Sequence, residues 1–314
     1  MQPLHLISKR GEIMKKRLND NAVFWLFVAP ALFAFVMVVI IPFFMGIYYS
    51  MTDWTAVAGL KPNWVGFKNY KAMFSDIAIR YSFIRTFLFT LLSVVSINIV
   101  ALTFAVLVTR DIRFRNFYRA GFFVPNLIGG LVLGYIWQFI FKSVIPAIGG
   151  LLGIEKLQNL LILSNPDLTL FGLVLAFTWQ YAGYIMMIYV AALLNVPQEL
   201  LEAAAIDGAN FWQRLKAITI PMIAHAFTIT TFLTLVNSFK QYDIIVALTN
   251  GGPTDMYKGQ VVNSTELLAM HIYNVAFKYN RMAEGQARAI IFFLVLSVIS
   301  IAQVYYNKKS EVEM

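Results

Sequence analysis

The segment Pro197–Pro221, "PQELLEAAAIDGANFWQRLKAITIP", places Glu199, Glu202, Asp207, Arg214 and Lys216 between two strongly apolar stretches. Those stretches, about Leu168–Leu194 and Ile218–Phe239, are each long enough to cross ~30 Å of hydrocarbon, which takes about 20 helical residues. A charged segment between two spans lies in water on one face of the bilayer, and placing it orients the rest of the chain. Leu200–Lys216 is rich in strong helix formers, Pro197 suits a helix start, and acidic residues in the first turn favour the positive end of the helix dipole. Asp207-Gly208 reads as a break, so the pattern predicts two short helices joined by a turn at Gly208. Ala203, Ala204 and Ala205 form a smooth face that another protein can approach closely. The segment is either a docking element or an ordinary connection.

Outward from it the chain is of one kind. Of 314 residues, 59% are hydrophobic and 13% charged, beyond the apolar usage of soluble domains and as expected of an integral membrane protein. The expected fold is all-α with six transmembrane helices: about Ala22–Ser50, Ser82–Thr109, Ala120–Phe141, Leu168–Leu194, Ile218–Phe239 and Ala289–Tyr306. The first run is too long for a cleaved signal peptide. The organisation is then an N-terminal tail (1–21), a membrane domain (22–306) containing the charged loop (197–221), and a C-terminal tail (307–314). Lys9, Arg10, Lys15, Lys16 and Arg17, then Arg110, Arg113, Arg115 and Arg119, and finally Lys308 and Lys309 fall on one side of six spans. The positive-inside rule makes that side, and both termini, cytoplasmic. The formal charge of +9 is thus a topology signal directed at membrane lipid and not a nucleic-acid footprint. Trp54 and Trp64 in the first outer loop serve as interfacial anchors or as loop core.

The run Glu202-Ala203-Ala204-Ala205-Ile206-Asp207-Gly208-Ala209, with Ile218 and Ile220-Pro221 following, resembles the EAA signature of permease subunits of binding-protein-dependent ABC importers. "TDW" at Thr52–Trp54, "WVGFKNYKAMF" at Trp64–Phe74, "LTNGGPT" at Leu248–Thr254 and "EVE" at Glu311–Glu313 are similar to the MalF-like permeases of the carbohydrate branch. Ile220 departs from the commoner leucine. The resemblance implies that the loop sits in a groove of a separate cytoplasmic ATPase, with Glu202 meeting a basic residue, Gly208 permitting the turn, Ala203 and Ala204 allowing close packing, and Asp207 within the same coupling element. It also implies a second, MalG-like permease, two ATPase subunits or a dimer, an extracellular sugar-binding protein, and a prokaryotic cell membrane as the location. ATP and Mg would bind the partner ATPase, with no cofactor in this chain.

The residues themselves offer no engine. No phosphate-cradling loop ending in Gly-Lys-Ser/Thr occurs, and Gly251-Gly252-Pro253 has no lysine partner. The rival is an ion-coupled secondary sugar transporter, which pairs acids or histidines within its spans. Here the span interiors are almost free of ionisable groups: Arg85 can snorkel at an outer end, and His225 reads as a packed interior residue. Without cysteine, and with three histidines and no clustered acids, metal sites and an embedded enzyme are disfavoured. A sugar needs amides, hydroxyls and aromatic faces, and Trp179, Gln180, Tyr181 and Tyr184, with Thr234, Asn237, Ser238, Gln241 and Tyr242, supply them; Asn126, beside Pro125, is another. By its spacing from the matched motifs, the resemblance implies Asn126, Tyr181, Tyr184, Thr234, Asn237, Ser238 and Gln241 as the lining of a sugar site; the alternatives are belt anchors and interhelical hydrogen bonds. Gly130 and Gly134 read as a close helix contact.

Overall fold

A computed structural model of the chain describes residues 22–57 and 61–308; the basic N-terminal tail and Glu311–Glu313 lie outside the described residues. In chain order the helices are α1 (Ala22–Ser50), α2 (Lys68–Ser75), α3 (Ile77–Thr109), α4 (Arg115–Leu127), α5 (Gly130–Leu152), α6 (Pro166–Leu194), α7 (Gln198–Ile206), α8 (Phe211–Met222), α9 (Ala224–Phe239), α10 (Asp243–Leu248), α11 (Leu268–Tyr273) and α12 (Met282–Asn307). A hairpin, β1 (Thr254–Tyr257) and β2 (Gln260–Asn263), pairs antiparallel with Thr254 opposite Asn263. Five helices, α1, α3, α5, α6 and α12, are long and apolar enough to cross a bilayer, and α8 with α9 adds a sixth if that bent pair is one span.

Prolines shape the long helices at a constant offset. Wide π turns at Val36–Ile40, Ile140–Val144 and Leu215–Thr219 each end two residues before a proline: Pro42, Pro146 and Pro221. A proline ring collides with the carbonyl four residues back and lacks an N–H, and a widened turn relieves both without ending the helix. The third case goes further. Beyond Pro221 the ladder fails at Ile223, where α8 and α9 meet at 72°, so the expected straight span Ile218–Phe239 is bent.

The expected span Ala120–Phe141 is likewise divided. Ile128 and Gly129 are extended (ψ 126° and 141°) and separate α4 from α5. Gln180 of α6 donates to the Ile128 carbonyl at 3.0 Å, satisfying a group that the broken ladder leaves free. The second span begins earlier than expected, at Ile77, because Asp76 accepts from the Ala78 N–H and caps the helix. The last span begins at Met282 instead of Ala289.

At the centre α3 and α6 run parallel: Arg85 meets Asp167 and Ser96 meets Thr178. Phe89 and Phe177, both fully buried, pack 5.5 Å apart in this seam. Glycine lets α4 press onto this seam: a Cβ on Gly183 of α6 would collide with the Phe122 carbonyl oxygen of α4. Beside it α5 packs on α10, where Cβ atoms on Gly130 and Gly134 would lie 2.7 and 2.6 Å from Asp243 and Ala247. The close contact read at Gly130 and Gly134 is thus found between α5 and α10.

Arg85 does not snorkel. It is buried, and its guanidinium donates to the Ser264 carbonyl (2.8 Å), the Pro166 carbonyl and Asp167 (3.3 Å), clamping the start of α6 and the segment after β2 onto α3. Leu268 N–H donates to Thr86 Oγ1 and Tyr81 donates to Asp255, so the stretch 240–288 is a folded cap on the end of α3. Trp54 is half-buried, its ring tilted against Tyr49 at 4.7 Å, whereas Trp64 is exposed. His225 is exposed on α9 instead of packed inside, because it falls on the face opposite Ala226 and Thr230.

Candidate functional site

The Pro197–Pro221 segment folds as two short helices about a glycine turn. α7 stops at Asp207, Gly208 takes φ +82°, and its N–H bonds to the Ala205 carbonyl (3.1 Å) while the Ala209 N–H reaches Ala204 (2.9 Å). These are the two bonds of a Schellman turn, and the positive φ admits glycine without strain. α8 then starts from a capping box: Asn210 Oδ1 accepts from the Gln213 N–H (3.0 Å), and Gln213 Oε1 accepts from the Asn210 N–H (2.7 Å). Arg214 Nη1 donates to the Leu201 carbonyl (3.4 Å) and ties the two halves. The Arg110 guanidinium sits 4.5 Å above the Phe211 ring, so the basic 110–119 connection lies at the same end of the molecule as this segment.

Glu202, Ala203, Asp207 and Gly208 are exposed and Ala204 is half-buried. Glu202 and Asp207 form no ion pair among the described residues. Beside them Ile206 and Trp212 are 87% and 73% exposed, with Leu200 also open. Large apolar side chains thus interleave with carboxylates that lack an ion pair among the described residues on this two-helix unit. Ile206 and Trp212 were not singled out from the sequence. The signal was there: apolar residues within a charged segment flanked by spans, where no core exists to receive them.

The seven residues read as sugar lining are distributed otherwise. Tyr181 and Tyr184 lie one turn apart on α6 and are half-buried, with Tyr181 packed 4.5 Å from Phe177. Asn237 is half-buried and Gln241 buried near the end of α9, and Asn126 is half-buried in the last turn of α4. Thr234 and Ser238 are buried completely. Ser238 donates to the Leu235 carbonyl, and Thr234 joins a polar chain across three helices: Asn98 of α3 donates to Thr234, Tyr189 of α6 donates to Asn98 (2.7 Å), and Thr230 of α9 donates to Tyr189 (2.7 Å). Asn98 and Tyr189 were not anticipated, since nothing in a single sequence pairs residues 91 apart. Neither the apolar groove between α2, α3, α11 and α12 nor the polar cleft lined by Gln138 and Asn250 includes any of the seven.

Residues 98–311 match the family described as the binding-protein-dependent transport system inner membrane component. The chain belongs to this family. It is a permease subunit, the transport component of an ABC importer and a multi-pass membrane protein, with ATP hydrolysis on a separate ATPase. Membership sets aside the ion-coupled secondary transporter. The chain is 45% identical over 291 residues (93% of this chain, 96% of the relative) to the probable starch degradation products transport system permease protein AmyD of Thermoanaerobacterium thermosulfurigenes. It is 31% identical over 290 residues (92% and 96%) to the multiple sugar-binding transport system permease protein MsmF of Streptococcus mutans. Its fold is similar to a chain of a bacterial alginate ABC transporter solved in complex with an alginate pentasaccharide-bound periplasmic protein, with TM-score 0.78 and 16% identity over 94% of this chain and 96% of that one.

Proposed function

We propose that this permease forms, with a second permease of the same family, the pathway for a mono- or oligosaccharide delivered by an extracellular binding protein. The relatives named for starch degradation products and multiple sugars support the cargo class. The observation that carries the driving step is the exposed face of α7 and α8, where Glu202 and Asp207 form no ion pair among the described residues and Ile206 and Trp212 stand open. In this reading a cytoplasmic ATPase receives that face: Glu202 pairs with a basic residue, Ala203 and Ala204 seat against its groove, and the Gly208 turn keeps the two helices as one lever. ATP and Mg are held by the ATPase. In this reading α8 and α9 form one bent span, which brings the count to six, and both termini are cytoplasmic; the basic 110–119 connection lying beside the lever supports placing both on the same, cytoplasmic side.

The sugar site of this proposal is shared between subunits. Asn126, Tyr181, Tyr184, Asn237 and Gln241 offer aromatic faces and amides from one side, Thr234 and Ser238 stiffen the helices behind them, and the second permease supplies the other side. The test is Glu202→Ala in the reconstituted importer. The expected result is ATPase that dissociates more readily and sugar uptake reduced about tenfold or more, with normal membrane insertion. Wild-type uptake by a fully docked variant would refute the assignment.

A further inference from the structure

A groove of about 420 Å³ opens at the end of the molecule opposite α7 and α8, between α2, the first turns of α3, α11 and the start of α12. Its volume is in the ~300–1,000 Å³ range of ligand sites. Its walls are apolar, including Met73, Phe83, Leu268, Ile291 and Val295, and only two polar side chains touch it, Arg80 and Arg288. Phe74 and Phe83 at its edge are 63% and 41% exposed, continuous with the lipid-facing side of α3. The groove therefore sits where the acyl region of the bilayer meets its head groups.

The two arginines differ in their needs. Arg288 is buried, and its Nη atoms bond to Asp76 (2.9 Å) and Glu284 (3.2 Å), which occupy those carboxylates, yet its Nε has no partner. That Nε is shielded from solvent, so Arg288 serves to tie α12 to Asp76 and leaves the groove's head-group contact to Arg80. Arg80 is exposed at the rim, donates only to the Phe74 carbonyl (2.9 Å), and has no carboxylate within ion-pair distance among the described residues. A guanidinium at the rim that faces no carboxylate among the described residues, above an apolar floor, makes a complementary surface for an amphiphile with an anionic, oxygen-rich head. Water does not fill such an apolar groove usefully, whereas a hydrocarbon chain does.

We propose that this groove is a binding site for an anionic phospholipid of the leaflet distant from α7 and α8. One acyl chain lies along Phe83, Leu268, Ile291 and Val295, and the phosphodiester oxygens accept from Arg80. Guanidinium suits phosphate because it can present two parallel donors. The lipid would then brace α2 and α11 against the starts of α3 and α12, the region that Asp76 and Arg288 already join.

The test uses the full assembly in nanodiscs of phosphatidylglycerol and phosphatidylcholine in equal parts, released into detergent for native mass spectrometry. The expected result is retention of phosphatidylglycerol over phosphatidylcholine by about fivefold or more, loss of that preference in Arg80→Gln, and loss of both lipids in Ile291→Trp, which fills the groove. Equal retention of the two lipids by wild type, or an undiminished preference in Arg80→Gln, would overturn the proposal. So would efficient cross-linking of Ile291→Cys to the second permease, which would show that protein covers the groove. These outcomes are independent of the coupling-loop test, because Arg80 and Ile291 lie at the end of the molecule opposite α7 and α8.

Discussion

Gly183→Ala should be among the most damaging single-methyl additions in this chain, whereas Gly121→Ala on the facing helix should be harmless. At Gly183 the added Cβ would collide with the Phe122 carbonyl oxygen, and backbone atoms have no rotamer by which to escape. Restoring an ordinary contact requires α4 and α6 to move apart. That movement pulls on the 3.0 Å bond from Gln180 to the Ile128 carbonyl, leaving a part-buried carbonyl unmet. Overpacking costs ~1–3 kcal/mol, and the lost bond adds ~1 kcal/mol or more. At Gly121 nothing lies within 4 Å, and alanine is the better helix former by ~1 kcal/mol. The assay is thermal unfolding of each purified variant in detergent: Gly183→Ala should melt several degrees lower, and Gly121→Ala at or above wild type. Equal melting temperatures for Gly183→Ala and wild type would refute the close α4–α6 contact.

Two further outcomes rest on separate contacts. Arg85→Met should cost ~2–4 kcal/mol, because it orphans the Ser264 and Pro166 carbonyls, whereas Asp167→Asn should cost under ~1 kcal/mol, since Asp167 is largely exposed; chemical denaturation of both variants measures the contrast. Glu266 is buried, which raises its pKa, but hydrogen bonds with His271 (3.1 Å) and Asn263 (2.6 Å) outweigh burial and hold it below its ordinary 4.5. A folded-state value below the unfolded one means that stability is present at neutral pH and lost as pH falls from about 4.5 through the folded value. Melting temperature against pH should show this acid limb in wild type and a weaker one in Glu266→Gln; identical limbs would remove the role of the pair.

Much of the architecture was legible because lipid imposes a simple rule: each span must be a long apolar helix, and runs such as Ala22–Ser50 meet it openly. The helix–turn–helix at Gly208 was legible for a local reason, the glycine after an alanine-rich helix. What escaped depends on distant partners. Ile128 and Gly129 sit within an apolar stretch that reads as continuous, and the break is stabilised by Gln180, 52 residues away. Arg85 reads as a surface cation until the segment after β2 folds over it. Prolines 42, 146 and 221 announced irregularity without saying whether the helix would widen or bend. The sugar-lining residues face the same limit more severely, since in the proposed pathway half of their surroundings belong to another chain.

The central claim is that this permease works by docking an ATPase at α7 and α8 within an assembly fed by a binding protein. The most direct test is purification of the subunit from its native membranes, identification of what accompanies it, and reconstitution of the complex in vesicles with labelled maltotriose and the sugar-loaded binding protein. The account predicts a second permease and an ATP-hydrolysing subunit, with uptake that requires ATP and hydrolysis stimulated by the loaded binding protein. Uptake by this subunit alone, without ATP and abolished by collapsing an ion gradient, would contradict it.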